Sequence, residues 1–225
     1  KVGSISLISL IPTIGVAVGV MALVIALALM TGLQGELRDR ILGSTAHVYV
    51  WKTGGIEDYR TEVSKLREVP GVIGAGPAIL GKALISSARA DTFISLKGVD
   101  PALEPKVTDI QRAMQRGSLE GLASEGEDDV PGILLGRNLA QQLGVDVGDT
   151  ATLLTPQGTL SPMGMIPRTR RVRVVGIYAL GLYEFDAAYG FVSLAFAERL
   201  LGKGAPDLIE LRVADIDDAP AISNA

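Results

Sequence analysis

Few residues of this chain are spaced for chemistry. Gly76-Pro77-Ala78-Ile79-Leu80-Gly81-Lys82-Ala83 comes within one position of a phosphate-cradling loop of the form G-x-x-x-x-G-K-[ST]. In such a loop the last position gives a hydroxyl to Mg²⁺, and the residues that follow open a helix whose N-terminus faces the phosphates. Ala83 has no hydroxyl, and the residues after it read as strand. The match therefore supports no nucleotide site. A catalytic hydroxyl needs a neighbouring base, and the sole histidine, His47, lies in an alternating, strand-like run. No carboxylate pair stands out from the charged surface. The chain has no cysteine, which excludes disulfides, thiolate metal sites and a cysteine nucleophile. One histidine excludes a multi-histidine metal site. A net charge of −4 gives no general attraction to nucleic acid. The expectation is a protein with no catalytic residue, no metal and no cofactor.

The residues better placed for function are those of a binding element. Thr155 to Thr169 reads as a loop of 15 residues between two strands, against 2–5 for an ordinary hairpin. Pro156, Pro162 and Pro167 limit its disorder, and Leu160, Met163, Met165 and Ile166 are costly to leave in water without purpose. Long ordered loops often bind, and Met adapts to varied apolar partners. Arg168, Arg170 and Arg171 form a basic rim. The competing reading folds the loop back on its own domain, with these side chains as a satellite core.

Such a loop must be held by something, and the rest of the chain divides in two. From Val2 to Gly35 there is no charge in 34 positions, enough for a helix to cross a bilayer. Gly15, Gly19, Ala22 and Ala26 fall on one helical face, and Gly15 with Gly19 makes a GxxxG pair that lets another helix come close. Pro12 marks a kink or the start of the regular helix. Leu33, Leu37 and Ile41 continue the helical spacing to about Gly43, and Glu36 can pair with Arg40. A cleaved signal peptide is the rival reading, with Lys1 as its basic end and Ala26-Leu27-Ala28 as a cleavage site, but the apolar run is far longer than usual. Charge at the two flanks does not settle the orientation. The chain reads as a fragment, because it lacks an initial Met and stops where a helix starts.

Beyond Glu36 the pattern is that of an α+β domain. Ala46–Lys52 alternates as a strand, with Val48 and Val50 on one face and His47, Tyr49 and Trp51 on the other. Ile56, Tyr59, Val63 and Leu66 mark a helix ended by Pro70-Gly71. Strand-like runs follow at 72–87 and 92–97, then a turn at Gly98-Val99-Asp100-Pro101. Short helical pieces are expected near Ile110–Arg116 and a solvated acidic loop from Glu120 to Asp129. Ile133–Leu135 is an apolar run. A short helix through Leu139 and Leu143 closes at Gly144. Strands are expected at Thr150–Leu154, Arg170–Tyr178 and Gly190–Val192. Ser193 caps a helix that stops before Gly202, and Asp207–Val213 returns to strand. The middle section looks inserted between two halves of the first.

Four stretches carry a family resemblance. They are Gly15-Val-Ala-Val-Gly19 through Leu33-Gln-Gly-Glu-Leu-Arg-Asp-Arg-Ile-Leu-Gly43; Lys97-Gly98-Val99-Asp100-Pro101; Gly136-Arg-Asn-Leu-Ala-Gln-Gln-Leu-Gly144 with Val147-Gly148-Asp149; and Ser161-Pro162-Met163-Gly164-Met165-Ile166-Pro167 with the strand after it. Together they resemble the N-terminal region of LolC/LolE-type permeases, the membrane subunits of the lipoprotein-releasing ABC transporter. The first three recur across the wider MacB/FtsX-like superfamily; the fourth resembles the hook loop of LolC-type subunits. The resemblance implies a bacterial inner-membrane location with the N-terminus in the cytoplasm. It implies a transmembrane helix and periplasmic stalk at 1–43 and the first half of a porter-like α+β part at 44–100. An inserted sabre-like β-rich part would follow at 101–205, with its hook loop at 155–169, and the second half of the porter-like part would start at 206–225. The partners implied are a LolD-type ATPase, which hydrolyses ATP in place of this chain, a second permease subunit in a homo- or heterodimer, a lipoprotein substrate and a LolA-type periplasmic carrier. Carrier docking would fall to Pro162, Met163, Gly164, Met165, Ile166 and Pro167, with basic contacts from Arg168, Arg170 and Arg171. Met165 departs from the pattern, which has a basic or polar residue there. The rival family readings are a MacB-like efflux or export permease that docks an adaptor protein, and an FtsX-like membrane regulator outside transport.

Overall fold

The computed structural model describes residues 2–123, 130–161 and 164–223. It divides into a helical unit, Lys1–Ile41, and a mixed unit, Leu42–Ala225. The helical unit is one uninterrupted element, α1 (Val2–Ser44), with Pro12 inside it. Its part from Pro12 to Ser44 is long and apolar enough to cross a membrane by length and composition. Large apolar side chains such as Leu23, Leu29 and Met30 are exposed on all sides, the pattern of a helix that lipid or other helices cover rather than its own domain. The helix passes Ala26-Leu27-Ala28 without a break and ends one residue past Gly43.

The mixed unit begins with β1 (Val48–Trp51), α2 (Tyr59–Arg67), β2 (Val72–Ser86), β3 (Asp91–Val99), α3 (Glu104–Val107) and β4 (Met114–Gly117). It continues with β5 (Gly132–Gly136), α4 (Arg137–Leu143), β6 (Thr150–Ser161), β7 (Gly164–Tyr178), α5 (Tyr183–Ala188), β8 (Tyr189–Ser193), α6 (Leu194–Leu201), β9 (Leu208–Val213) and α7 (Ala219–Ser223). The local rules explain most of these elements. Asp58 caps α2 by accepting from Thr61 N, and Ser193 caps α6 by accepting from Phe196 N. α4 and α6 each stop at a glycine in the left-handed region, Gly144 and Gly202.

β2 is the spine. One edge pairs with β3 from Ala78 to Ser86. The other edge pairs first with β9, from Val72 to Ala78, and then with β6, at Leu84–Ser86. Six strands thereby close a ring of pairings: β2, β3, β8, β5, β7, β6 and back to β2. The β3–β8 and β5–β7 pairs are parallel and the others antiparallel. A closed ring leaves no free edge. One core takes residues from all six strands and from α4 and α6, among them Ile85, Leu96, Leu135, Leu143, Leu153, Val174, Val192 and Leu200. A second, smaller core lies under α2 where β1, β9 and the first half of β2 pair, around Val63, Ala75, Ile209 and Leu211. The chain returns through β9, which sits between β1 and β2 and pairs antiparallel with both.

Several expectations are corrected. Ile110–Arg116 is not helical throughout: a single turn, Ala113 N to Asp109 O, gives way to β4, which pairs with the end of β7. A ladder partner more than 60 residues away overrides the local propensity of Met114-Gln115-Arg116. Gly98 and Val99 are the end of β3, paired with β8, and the turn starts only at Asp100. α3 and α5 have no strong sequence signal and are short. The acidic loop lies largely outside the described residues. The largest correction concerns 155–169, where β6 and β7 extend each other far beyond Leu154 and Arg170. Two of the prolines that suggest a loop are placed where a ladder tolerates them. Pro156 and Pro167 both fall in the irregularity of the ladder, and Pro162 lies outside the described residues.

Candidate hairpin docking site and a buried charge cluster

The candidate site is the β6–β7 hairpin. Its base is built into the ring: Ala151, Leu153, Val172 and Val174 are buried in the main core. The ladder runs in register from Thr150↔Arg173 to Thr155↔Arg168. There it slips, because Pro156, Gln157 and Gly158 oppose Pro167 alone, and it resumes at Thr159↔Ile166, Leu160↔Met165 and Ser161↔Gly164. Gly164, Met165 and Ile166 are thus placed in β7 by their backbone pairing. Pro162 and Met163, both named as docking residues, lie outside the described residues. Pro167 is exposed at the irregularity.

The three arginines of the basic rim separate in the structure. Arg168 is half-buried, and its Nη1 donates to the carbonyl of Arg199 at 2.9 Å. Arg170 and Arg171 are exposed; Arg170 Nη1 donates to Thr169 O at 3.1 Å, and Arg171 Nη2 reaches Thr150 Oγ1 at 3.5 Å. Both line a cleft of about 370 Å³ with Pro131, Phe196, Arg199 and Leu200. Cationic groups over an apolar floor suit an acidic, partly apolar partner surface. The helical face is distant in sequence. Gly15 and Gly19 have open space where a Cβ would stand, and Ala22 and Ala26 are exposed.

Sequence reading missed a charge cluster. Lys97 on β3 is buried between Glu104 of α3 and Glu210 of β9. Its Nζ donates to Glu104 Oε1 at 3.0 Å, which also accepts from Thr108 Oγ1 at 2.8 Å. Nζ also lies 2.6 Å from Glu210 Oε2, a close ion pair. Burial by itself would lower the Lys97 pKa, but the two carboxylates outweigh it and hold the ammonium above the ordinary lysine range. Burial raises the Glu104 carboxyl, against the pull of Lys97. The cluster ties three elements together. The one sequence signal for it is a lone lysine in the otherwise uncharged run from Thr92 to Val99. The near-P-loop lies within β2, paired to β9 and β3, with no helix after it.

Comparison with known proteins places this geometry. Residues 9–225 match the MacB-like periplasmic core domain family. The chain is 34% identical over 218 residues to the lipoprotein-releasing system transmembrane protein LolC of Xylella fastidiosa, covering 96% of this chain and 52% of that protein. It is 32% identical over 224 residues to LolC of Neisseria meningitidis serogroup B, covering 98% and 53%. It is 29% identical over 202 residues to LolE of Haemophilus influenzae, covering 88% and 47%. The chain therefore spans about half the length of these relatives.

Proposed function

The chain belongs to the family of MacB-like periplasmic core domains, and from that membership we propose that it is the N-terminal region of a membrane subunit of a lipoprotein-releasing ABC transporter. In this reading α1 spans the bacterial inner membrane and the mixed unit stands in the periplasm. Residues 44–100 and 206–225 belong to the porter-like part, and 101–205 form the sabre-like insertion. ATP is hydrolysed by a separate LolD-type subunit, a second permease subunit packs beside α1, and lipoproteins pass to a LolA-type carrier. Relatives at 34% and 32% identity along almost the whole chain are named as LolC of such systems, which supports the transport class over an adaptor-docking or regulatory role.

The observation that carries the docking role is the β6–β7 hairpin. It is a two-stranded ladder that continues past the ring as far as Ser161↔Gly164, and Ser161-Pro162-Met163-Gly164-Met165-Ile166-Pro167 is its sequence there. A preformed arm loses little conformational freedom on entering a partner's apolar cavity, so more of its contact energy appears as affinity. The test is retention of the detergent-purified chain on an immobilised LolA-type carrier. Replacing Pro162–Pro167 with a Gly-Ser linker should weaken retention by about thirtyfold or more, since hot-spot side chains are worth about 2 kcal/mol or more. Undiminished retention by the linker variant would remove the hairpin from the docking role.

A further inference from the structure

We infer that Arg168 is a positioning residue, a brace that fixes the hairpin arm at its joint, rather than a contact to the docking partner. The need for a brace follows from the strand pairings. Up to Leu154, β6 is held on both edges, by β7 and by β2. From Arg173 onward β7 is held by β5 as well. Between these limits, among the described residues, the strand pairing of each is to the other, and a lone two-stranded ribbon is marginal. The ladder also breaks in that span, with Pro156, Gln157 and Gly158 opposite Pro167. Neither proline can donate a ladder bond. The joint is thus the weakest point of the arm.

Arg168 occupies the last regular pair before the break, Thr155↔Arg168. Its Nη1 donates to Arg199 O at 2.9 Å, in the last turn of α6. Carbonyls there carry the negative end of the helix dipole, which favours a cationic donor. A second observation concerns the space around the same guanidinium. A Cβ at Gly202, which has φ +69°, would lie 2.8 Å from Arg168 Nη1. The glycine that ends α6 therefore also makes room for the guanidinium. α6 itself is fixed in the main core by Phe196, Ala197, Leu200 and Leu201. The brace thus ties the arm to a rigid element.

The absence of cysteine allows a spin-label pair at Thr159→Cys, beyond the joint, and Ser64→Cys, exposed on α2. Distances are measured in the full chain in detergent. Arg168→Gln should at least double the width of the distance distribution. Gly202→Ala should do the same although it leaves every charge in place. An unchanged width in Arg168→Gln overturns the brace, and that variant carries the test if Gly202→Ala does not fold. A parallel titration with a LolA-type carrier rests on the docking reading above; there both variants should lose affinity by about tenfold. Affinity lost in Arg168→Gln but kept in Gly202→Ala, with widths unchanged, would make Arg168 a direct contact and overturn the brace. A parent chain that binds no carrier would sink the docking reading alone, because the distance widths need no partner.

Discussion

Replacing Lys97 with Met removes the cation between Glu104 and Glu210 and leaves two carboxylates in sites of 2% and 3% exposure. Breaking a buried pair in this way costs about 3–5 kcal/mol, because the remaining charge has no water to turn to. The pH dependence has a definite sign. In the parent chain the Lys97 pKa is raised, so its contribution is complete below the unfolded lysine value and fades only as pH rises through the folded one, far above neutrality. In Lys97→Met the buried Glu104 carboxyl loses its counter-ion, so its folded pKa rises further above the unfolded value of about 4.5. Stability then falls as pH rises from that value, and thermal melts should show a larger loss at pH 8 than at pH 5. An equal loss at both would mean that packing, not charge, dominates. None of this is legible in sequence, where Glu104 and Glu210 look like ordinary surface charges. His47 shows the same limit. Its expected place in an alternating strand is not met, since β1 starts only at Val48, and its role depends on partners: Nε2 donates to Leu42 O at 3.0 Å and Nδ1 accepts from Val213 N at 3.2 Å. A carbonyl can only accept and an N–H can only donate, which sets the tautomer and makes the ring a clip between chain segments.

At the scale of elements, α6 links the readable part of the sequence to the unreadable part. Ser193 and Gly202 mark its ends by residue type alone, because a cap and a left-handed stop act on immediate neighbours. Ser193→Ala removes the acceptor for Phe196 N, 3.3 Å away. It should cost about 1 kcal/mol, a fall of roughly 2–4 °C in midpoint for a domain of this size. Ser193→Asp should restore most of it, since Asp caps equally well. A thermal melt of the three proteins decides, and a Ser193→Ala variant as stable as the parent would show that packing of Leu194 and Phe196 alone holds the helix. The hairpin is the opposite case. Its strands are legible only at their bases, where Val172 and Val174 alternate with Arg171 and Arg173. Beyond Leu154 the residues that decide the structure are cross-strand partners such as Leu160 and Met165. Three prolines in 15 residues argue locally for a loop, and the pairing overrides that on both sides of the break that takes up Pro156 and Pro167.

For the whole molecule, the order of segments is readable but their sharing of a core is not. The boundary at residue 100 separates stretches of sequence, while β2 and β3 on one side and β5 to β8 on the other close a single ring around one core. α1 exposes large apolar side chains along its length, among them Leu23, Leu29 and Met30. That makes Gly15→Leu an informative probe. Beyond the helix's own neighbouring backbone, nothing among the described residues lies within 4 Å of where a Cβ at Gly15 or Gly19 would stand, so there is room for the larger side chain. Its expected effect is on a helix packed against this face. The face formed by Gly15, Gly19, Ala22 and Ala26 would bring a neighbouring helix close, and a Leu at its edge would hold that helix off. Gly32→Leu is the control: it too has open space, but at 3.6 residues per turn it lies about 100° around the helix from Gly15. Co-purification of a second permease subunit from membranes should fall with Gly15→Leu and persist with Gly32→Leu, while the melting of the mixed unit stays the same in both. Equal recovery of the second subunit from the two variants would remove this face from the assembly and leave α1 as an anchor alone.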